Sequence, residues 1–390
     1  MQAKYGLPEK VIFCKRCVMS NQRPQSAQEF SHTAASRKET LHIDAEGVCD
    51  ACRVAERKAT TDWAERDREL RDLLGRFRSK CGDFDCIVPG SGGKDSFFAA
   101  HVLKHRYGMH PLLVTWAPSL FTEWGWRNLV RWQSIGFHHL YTPNREVNRL
   151  LVRLSIENLF HPFACFIYGQ KALAPKLAAH YGIPLVMYGE SEAEYGNAIA
   201  ENGSARRAAK YHAPSGPIYL AGLPLEELHG RYGLQECDLA PYMPANPALL
   251  EQKKVEVHYL GYYLRWKPQE CYYYAAENGG FEAAPERTPG TYSKYNSIDD
   301  KMDDLHYYTT YIKFGIGRAT YDAAQEIRSG DIDRAEGVAL VRRFDGEWPA
   351  RFEGELFDYL GITKDRFLAL ADQFKSPHLW DGDRLRCVVS

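Results

Sequence analysis

The chain has 390 residues, 45% of them hydrophobic, with 49 basic side chains against 50 acidic ones and a formal net charge of −1. That length leaves room for two or three domains and a sizeable core, and the even charge balance removes the reason to expect a nucleic-acid partner. The first residues lack the apolar stretch of a signal peptide and no apolar run approaches the ~20 residues that cross a bilayer, so a cytoplasmic protein without membrane contact is expected.

In chain order, a zinc-binding module is expected over residues 1–55. Cys14 and Cys17, then Cys49 and Cys52, form two C-x-x-C knuckles. Thiols in a cytosolic chain stay reduced, and close pairs of them are more often metal ligands than disulfides. Four thiolates suit tetrahedral Zn²⁺, and four protein ligands leave no open position, so the role is structural; an iron–sulfur cluster or redox thiols are the alternatives. His32 and His42, between the knuckles, read as surface or packing residues. Residues 56–80 are dense in charge but place Trp63, Leu70, Leu73, Leu74 and Phe77 on one stripe, the pattern of a linker helix packed on the next domain. Its arginines read as an ordinary solvated face rather than a polyanion site.

Residues 81–200 are expected to form a nucleotide-binding domain. Ile87 and Val88 make a short buried strand, Gly90, Gly92 and Gly93 allow a tight loop, and Ser96 opens an amphipathic helix with Phe97, Val102 and Leu103. A helix start offers unpaired N–H groups and partial positive charge to a phosphate, and Lys94 adds a full charge. The loop lacks the Gly-Lys-Ser/Thr of a Walker A motif, because Lys94 is followed by Asp95. A carboxylate beside a pyrophosphate is repelled unless it reaches a Mg²⁺ on the same oxygens, so Ser91-Gly92-Gly93-Lys94-Asp95-Ser96 points to a Mg-bound triphosphate with pyrophosphate as leaving group. This string resembles the SGGKDS motif of the PP-loop ATP pyrophosphatase superfamily. Pro89 departs from the familiar pattern and removes one N–H.

Further strands are expected at residues 110–116, ending near Thr142, and at 185–190, with helices at 126–136 and 170–181 between them. The alternation implies an α/β fold with a parallel, doubly wound sheet whose ligand lies beyond the carboxyl ends of the strands, at Gly90, Trp116, Thr142 and Gly189. The backbone at Thr115 and Trp116 is then expected against the adenine. Glu190 and Glu192 stand where a second Mg²⁺ ligand or a general base is needed, Glu192 equally being a solvated loop residue. Cys165 and His161, in an aromatic turn, read as core residues or, for the thiol, a sulfur carrier.

Residues 201–390 are expected as a mainly helical substrate- and partner-binding region, with 202–247 a loop-rich cover. The aromatic runs Tyr259 to Trp266 and Tyr272 to Tyr274 suit either sugar rings or packing.

The whole chain is more closely similar to the N-acetyl sugar amidotransferases of bacterial surface-polysaccharide and nonulosonic-acid biosynthesis. The features that carry this are Cys14-x-x-Cys17-Val18-Met19-Ser20, Gly47-Val48-Cys49-x-x-Cys52, the SGGKDS loop, Tyr259-Leu260-Gly261-Tyr262-Tyr263, and the runs 312–319 and 336–341. The resemblance implies adenylation of an acetamido oxygen by ATP and its replacement by ammonia-derived nitrogen, giving an acetamidino sugar. It places Gly90, Ser91, Gly92, Gly93, Lys94, Asp95 and Ser96 on the nucleotide, with Lys94 and Asp95 catalytic and Ser91 and Ser96 donating to the pyrophosphate; Gly189 as a nucleotide contact and Glu190 as a catalytic residue follow from their place beyond a strand end. No glutamine-hydrolysing segment is recognisable, so a separate glutaminase subunit is the expected ammonia source. A tRNA-thiolating enzyme of the same superfamily is the rival reading, which the neutral charge and the single Cys165 disfavour.

Overall fold

Five short strands send alternate side chains to two apolar faces, and that alternation sets the architecture of the computed structural model, which describes residues 2–25, 30–197, 203–214 and 216–390. The strands are β1 (Cys86–Pro89), β2 (Pro111–Trp116), β3 (His138–Tyr141), β4 (Leu185–Tyr188) and β5 (Glu256–Tyr259). All pair in parallel, in the order β3-β2-β1-β4-β5. On one face Cys86, Val88, Leu113, Leu185 and Met187 meet Leu70, Leu74, Phe97, Leu103 and Trp132. On the other, Ile87, Leu112, Val114, Val186 and Val257 meet Leu151, Leu154, Ala172 and Tyr168. Both faces are covered by helices, as parallel sheets require, so the expected α/β class holds.

The first face carries α2 (Trp63–Phe77), α3 (Lys94–His105) and α4 (Glu123–Trp132), and the second carries α5 (Arg145–Leu159) and α6 (Ala164–Tyr181). The expected linker helix is two helices: α1 (Asp50–Ala59) ends before Asp62, whose side chain accepts the N–H groups of Ala64 and Glu65 and starts α2 afresh. Pro175 sits inside α6. Proline has no N–H to give the carbonyl four residues back, and the Tyr188 hydroxyl donates to that orphaned Lys171 oxygen at 3.4 Å, tying α6 to the end of β4.

The sheet draws its edge strand from beyond residue 200, since β5 ends at Tyr259, where the expected aromatic stretch begins. Residues 202–247, expected as a loop-rich substrate cover, pack Leu220, Leu228, Leu239 and Tyr242 onto the second core face; residues 202 and 215 of this stretch lie outside the described chain. Helix α7 (Pro268–Gly279) joins the first core face through Cys271 and Ala275, and the C-terminal helices α8 (Met302–Phe314), α9 (Arg318–Ser329), α10 (Arg334–Phe344), α11 (Glu353–Leu360) and α12 (Lys364–Phe374) build two further cores. One joins α8, α11 and α12 to Phe160 and Ile156 of α5 and its C-terminal end. The other joins Ala323, Ala324 and Val341 to the four cysteines. Among the described residues no helix is long and apolar enough to cross a membrane.

Candidate functional site

β1 has β2 on one side and β4 on the other, so the loops leaving β1 and β4 diverge, and the crevice between them opens at the switch point of the sheet. The loop after β1 runs into α3 with Gly93 as N-cap, which puts Lys94 and Asp95, not Ser96, at the start of the first helical turn. The first N–H groups of α3 have no intrahelical acceptor and point into this crevice region.

Two glycines are sterically required. A Cβ on Gly90 would lie 2.1 Å from that of Ser96, and Gly92, at φ +84°, would bring one within 2.7 Å of the Leu129 backbone. The Gly90 N–H is spent on the Val114 oxygen at 2.9 Å, so Gly90 lines the crevice with no N–H left for a phosphate. The Thr115 hydroxyl donates to the Gly90 oxygen at 2.6 Å and takes its own hydrogen bond from His138 Nε2 at 2.8 Å. Thr115 thus braces the loop from behind. Ser96 Oγ donates to the Gly93 oxygen at 3.0 Å, so its hydroxyl hydrogen is directed at the helix start rather than at a ligand.

The crevice belongs to a cavity of about 620 Å³ lined by Gly90, Ser91, Gly93, Lys94, Asp95, Ser96, Trp116, Gly189 and Glu190. Nine of the sequence-derived site residues therefore line one cavity; Gly92 and Thr115 do not. Trp116, stacked on Tyr141 with ring centroids 5.2 Å apart, leaves its indole N–H buried without a partner. Lys94, 6% exposed, pairs with Asp95 Oδ2. Burial works against its ammonium, but the Asp95 carboxylate outweighs this and holds the Lys94 pKa above its ordinary value. Asp95 Oδ1 is buried with no partner. An orphaned carboxylate oxygen beside the first N–H groups of α3 has the donor chemistry that fits a hard cation such as Mg²⁺.

Across the crevice, burial first and then the Asp95 charge push the Glu190 carboxyl up to about 7. The Tyr195 hydroxyl donates to Glu190 Oε1 at 3.0 Å. Glu192 is otherwise engaged. It accepts from Arg207 Nη2 at 2.9 Å and from Asn197 at 3.2 Å, and Lys171 Nζ stands 3.5 Å away; burial alone would raise its carboxyl, but these cations hold it below the ordinary range. Glu192 is thus neither a solvated loop residue nor a free metal ligand.

Further lining comes from residues given no role in the sequence reading: Arg23 and Lys38 from the N-terminal module, Arg207, and His306, Tyr307 and Arg318 from α8 and α9. His161 lines the cavity with Nδ1 buried and unpartnered. Cys165 does not line it. Its sulfur accepts the Ala221 N–H at 3.1 Å, and burial raises its thiol to about 11, away from reactivity. Of the tyrosine-rich stretch, only Tyr259 faces the cavity. Tyr263 bonds His258, Tyr274 bonds His101, and Tyr272 stacks on Tyr295, so packing claims most of these rings.

The zinc ligands expected from the sequence converge. The four sulfur atoms lie within 4.8 Å of one another, all buried, with Cys17 to Cys49 at 3.7 Å and Cys14 to Cys52 at 3.9 Å. Backbone N–H groups of Arg16, Cys17 and Cys49 point at Cys14 Sγ at 3.3–3.5 Å, as donors to a thiolate do. The donor set fits a closed structural Zn²⁺ site. His42 pairs with Asp50 at the surface instead.

Over 83 residues the chain is 28% identical to an uncharacterized protein of Methanocaldococcus jannaschii, covering 21% of this chain and 29% of that protein, so it spans less than a third of that relative's length. Residues 289–389, which supply α8 to α12 and the far wall of the cavity, match a family described as the C-terminal domain of LPS biosynthesis proteins of the WbpG-like type. That similarity connects the chain to polysaccharide biosynthesis.

Proposed function

We propose that the protein is an ATP-dependent amidotransferase that converts an acetamido group of a sugar into an acetamidino group. The observation that carries this is the single cavity in which the phosphate-type loop, with Asp95 Oδ1 unpartnered, faces Glu190 on one side and the WbpG-like helices on the other. An amide carbon is a poor electrophile and its oxygen a poor leaving group, so the oxygen must first be activated. The acetamido oxygen attacks the α-phosphorus of ATP and pyrophosphate departs. Ammonia then adds to the carbon, the carbon–oxygen bond breaks, and AMP leaves with that oxygen.

In this scheme the N–H groups opening α3 and the Lys94 ammonium bind the departing pyrophosphate. Mg²⁺ held by Asp95 would neutralise charge on the same oxygens. The indole N–H of Trp116 and the wall around it take the adenosine. Glu190, with its carboxyl near neutrality, receives the proton that the incoming nitrogen sheds, with Tyr195 fixing its orientation. The buried, unreactive setting of Cys165 speaks against a sulfur-transfer reading. Ammonia comes from a separate glutaminase subunit, and zinc serves structure only.

The test incubates the protein with ATP, Mg²⁺, ammonium chloride and a panel of free and nucleotide-linked acetamido sugars. AMP and pyrophosphate should form together with a product in which oxygen is exchanged for NH by mass spectrometry, and Asp95→Asn should lower the rate by about 10²-fold or more. ADP and orthophosphate as products would refute the proposal.

A further inference from the structure

A second pocket, of about 120 Å³, lies directly behind the Glu190 loop. Pro268 and Gln325 line both it and the main cavity. Glu194 and Trp266 stand between the two, packed on a floor of glycines. The Gly261 N–H meets the Gly189 oxygen at 2.8 Å. A Cβ on Gly261 would be 3.3 Å from Glu194 Oε1, and one on Gly189 would be 2.8 Å from the Trp266 ring. Pocket and cavity thus share lining residues, with Glu194 and Trp266 on the pocket side.

The outer wall is α1, through Ala51, Val54, Ala55, Lys58 and Ala59. Lys58 Nζ bridges Glu194 and Trp266, donating to Glu194 Oε1 at 2.9 Å and to the Trp266 oxygen at 3.0 Å. Around the mouth stand four cationic side chains, Lys58, Arg265, Lys267 and Arg328, against the carboxylate of Glu194. Glu270 pairs with Lys267 at 3.1 Å from outside. Such a ring repels a small cation and leaves a small neutral molecule unhindered. The proposed reaction needs a neutral nitrogen nucleophile, arriving from the side of Glu190.

We propose that this pocket is the inlet by which neutral ammonia, handed over by a docked ammonia-producing subunit, passes the Lys58–Glu194 pair and Trp266 to reach the activated carbon beside Glu190. The inference rests on the amidotransferase reading above. Lys58, Glu194 and Trp266 act as positioning residues that shape and close the path, and they touch no reacting atom. The zinc module acquires a role in the same arrangement, because α1 begins between the ligands Cys49 and Cys52 and the metal thereby holds the outer wall of the inlet in place.

Two plugging substitutions on α1 in the full chain test it, Ala55→Trp on the half-buried part of that wall and Ala59→Trp on its exposed rim, where folding is not at stake. Two readouts separate the steps: acetamido-sugar-dependent exchange of labelled pyrophosphate into ATP, which needs no nitrogen, and amidine formation against ammonium chloride concentration. Both variants should keep exchange within about two-fold while KM for ammonium rises about ten-fold or more. Should exchange persist with KM for ammonium unchanged, the inlet is wrong and the amidotransferase reading stands. Should wild-type protein show no exchange with any sugar of the panel, that reading fails and takes the inlet with it.

Discussion

Asp95 has one carboxylate oxygen against Lys94 and the other against nothing, while Glu190 nearby is held close to half-ionised by burial and by that same Asp95 charge. Two neighbouring acids in different states suit two roles, one holding a cation and one moving a proton. The pH dependence follows. Glu190 accepts a proton only as carboxylate, so amidine formation, measured at constant free ammonia, should rise with pH through about 7. Glu190→Gln should lose this limb and lower kcat by about 10²–10⁴-fold, with pyrophosphate exchange retained. A profile unchanged in the variant would assign the base elsewhere. Asp95 and Lys94 were legible in the sequence because six consecutive residues carry the loop. Arg207, Lys171 and Lys38 were not, since they come from a loop, a helix and the N-terminal module and share a wall only once the chain is folded. Cys165 shows the converse: a chemically suggestive residue type that the fold spends on packing.

At the level of elements, β1, β2 and β4 could be read from apolar runs because both faces of a parallel sheet are buried. β5 could not. Its sequence, Glu256-Val257-His258-Tyr259, places only one aliphatic residue among polar and aromatic ones, as an edge strand can, and it merges into an aromatic stretch. The expected linker helix is interrupted for a local reason: its apolar stripe, Trp63 to Phe77, lies wholly on α2, and Asp62 starts that helix afresh after α1 has ended. The join of β1 to α3 is the tightest of all. Gly90→Ala would force the loop and Ser96 apart, with a cost of about 1–3 kcal/mol. Denaturant unfolding should show that loss, and isothermal titration should show ATP affinity falling with it; an unperturbed variant would mean that the strand-to-helix turn is looser than described.

Taken as a whole, the molecule is interlocked rather than beaded. The four cysteines share a core with Ile316, Ala323, Val341 and Val389, and Arg334 of α10 donates to the Cys17 oxygen at 3.2 Å and the Cys14 oxygen at 3.4 Å. Removing the metal should therefore loosen far more than the knuckles. A chelator is expected to release one zinc per chain by elemental analysis and to lower Tm by several degrees, with faster amide exchange in α9 and α10 as well as α1. Exchange confined to the knuckles would contradict this coupling.

That interlocking also sets an order of assembly. A growing chain exposes its four thiols early, yet the helices that close over them are translated hundreds of positions later. The knuckles can capture their ion at once, but their hydrophobic surroundings stay open until residues 316–341 have been made. During that interval the cysteines depend on the reducing power of their surroundings, and a ribosome stalled before residue 316 would hold a metal-loaded module with no roof.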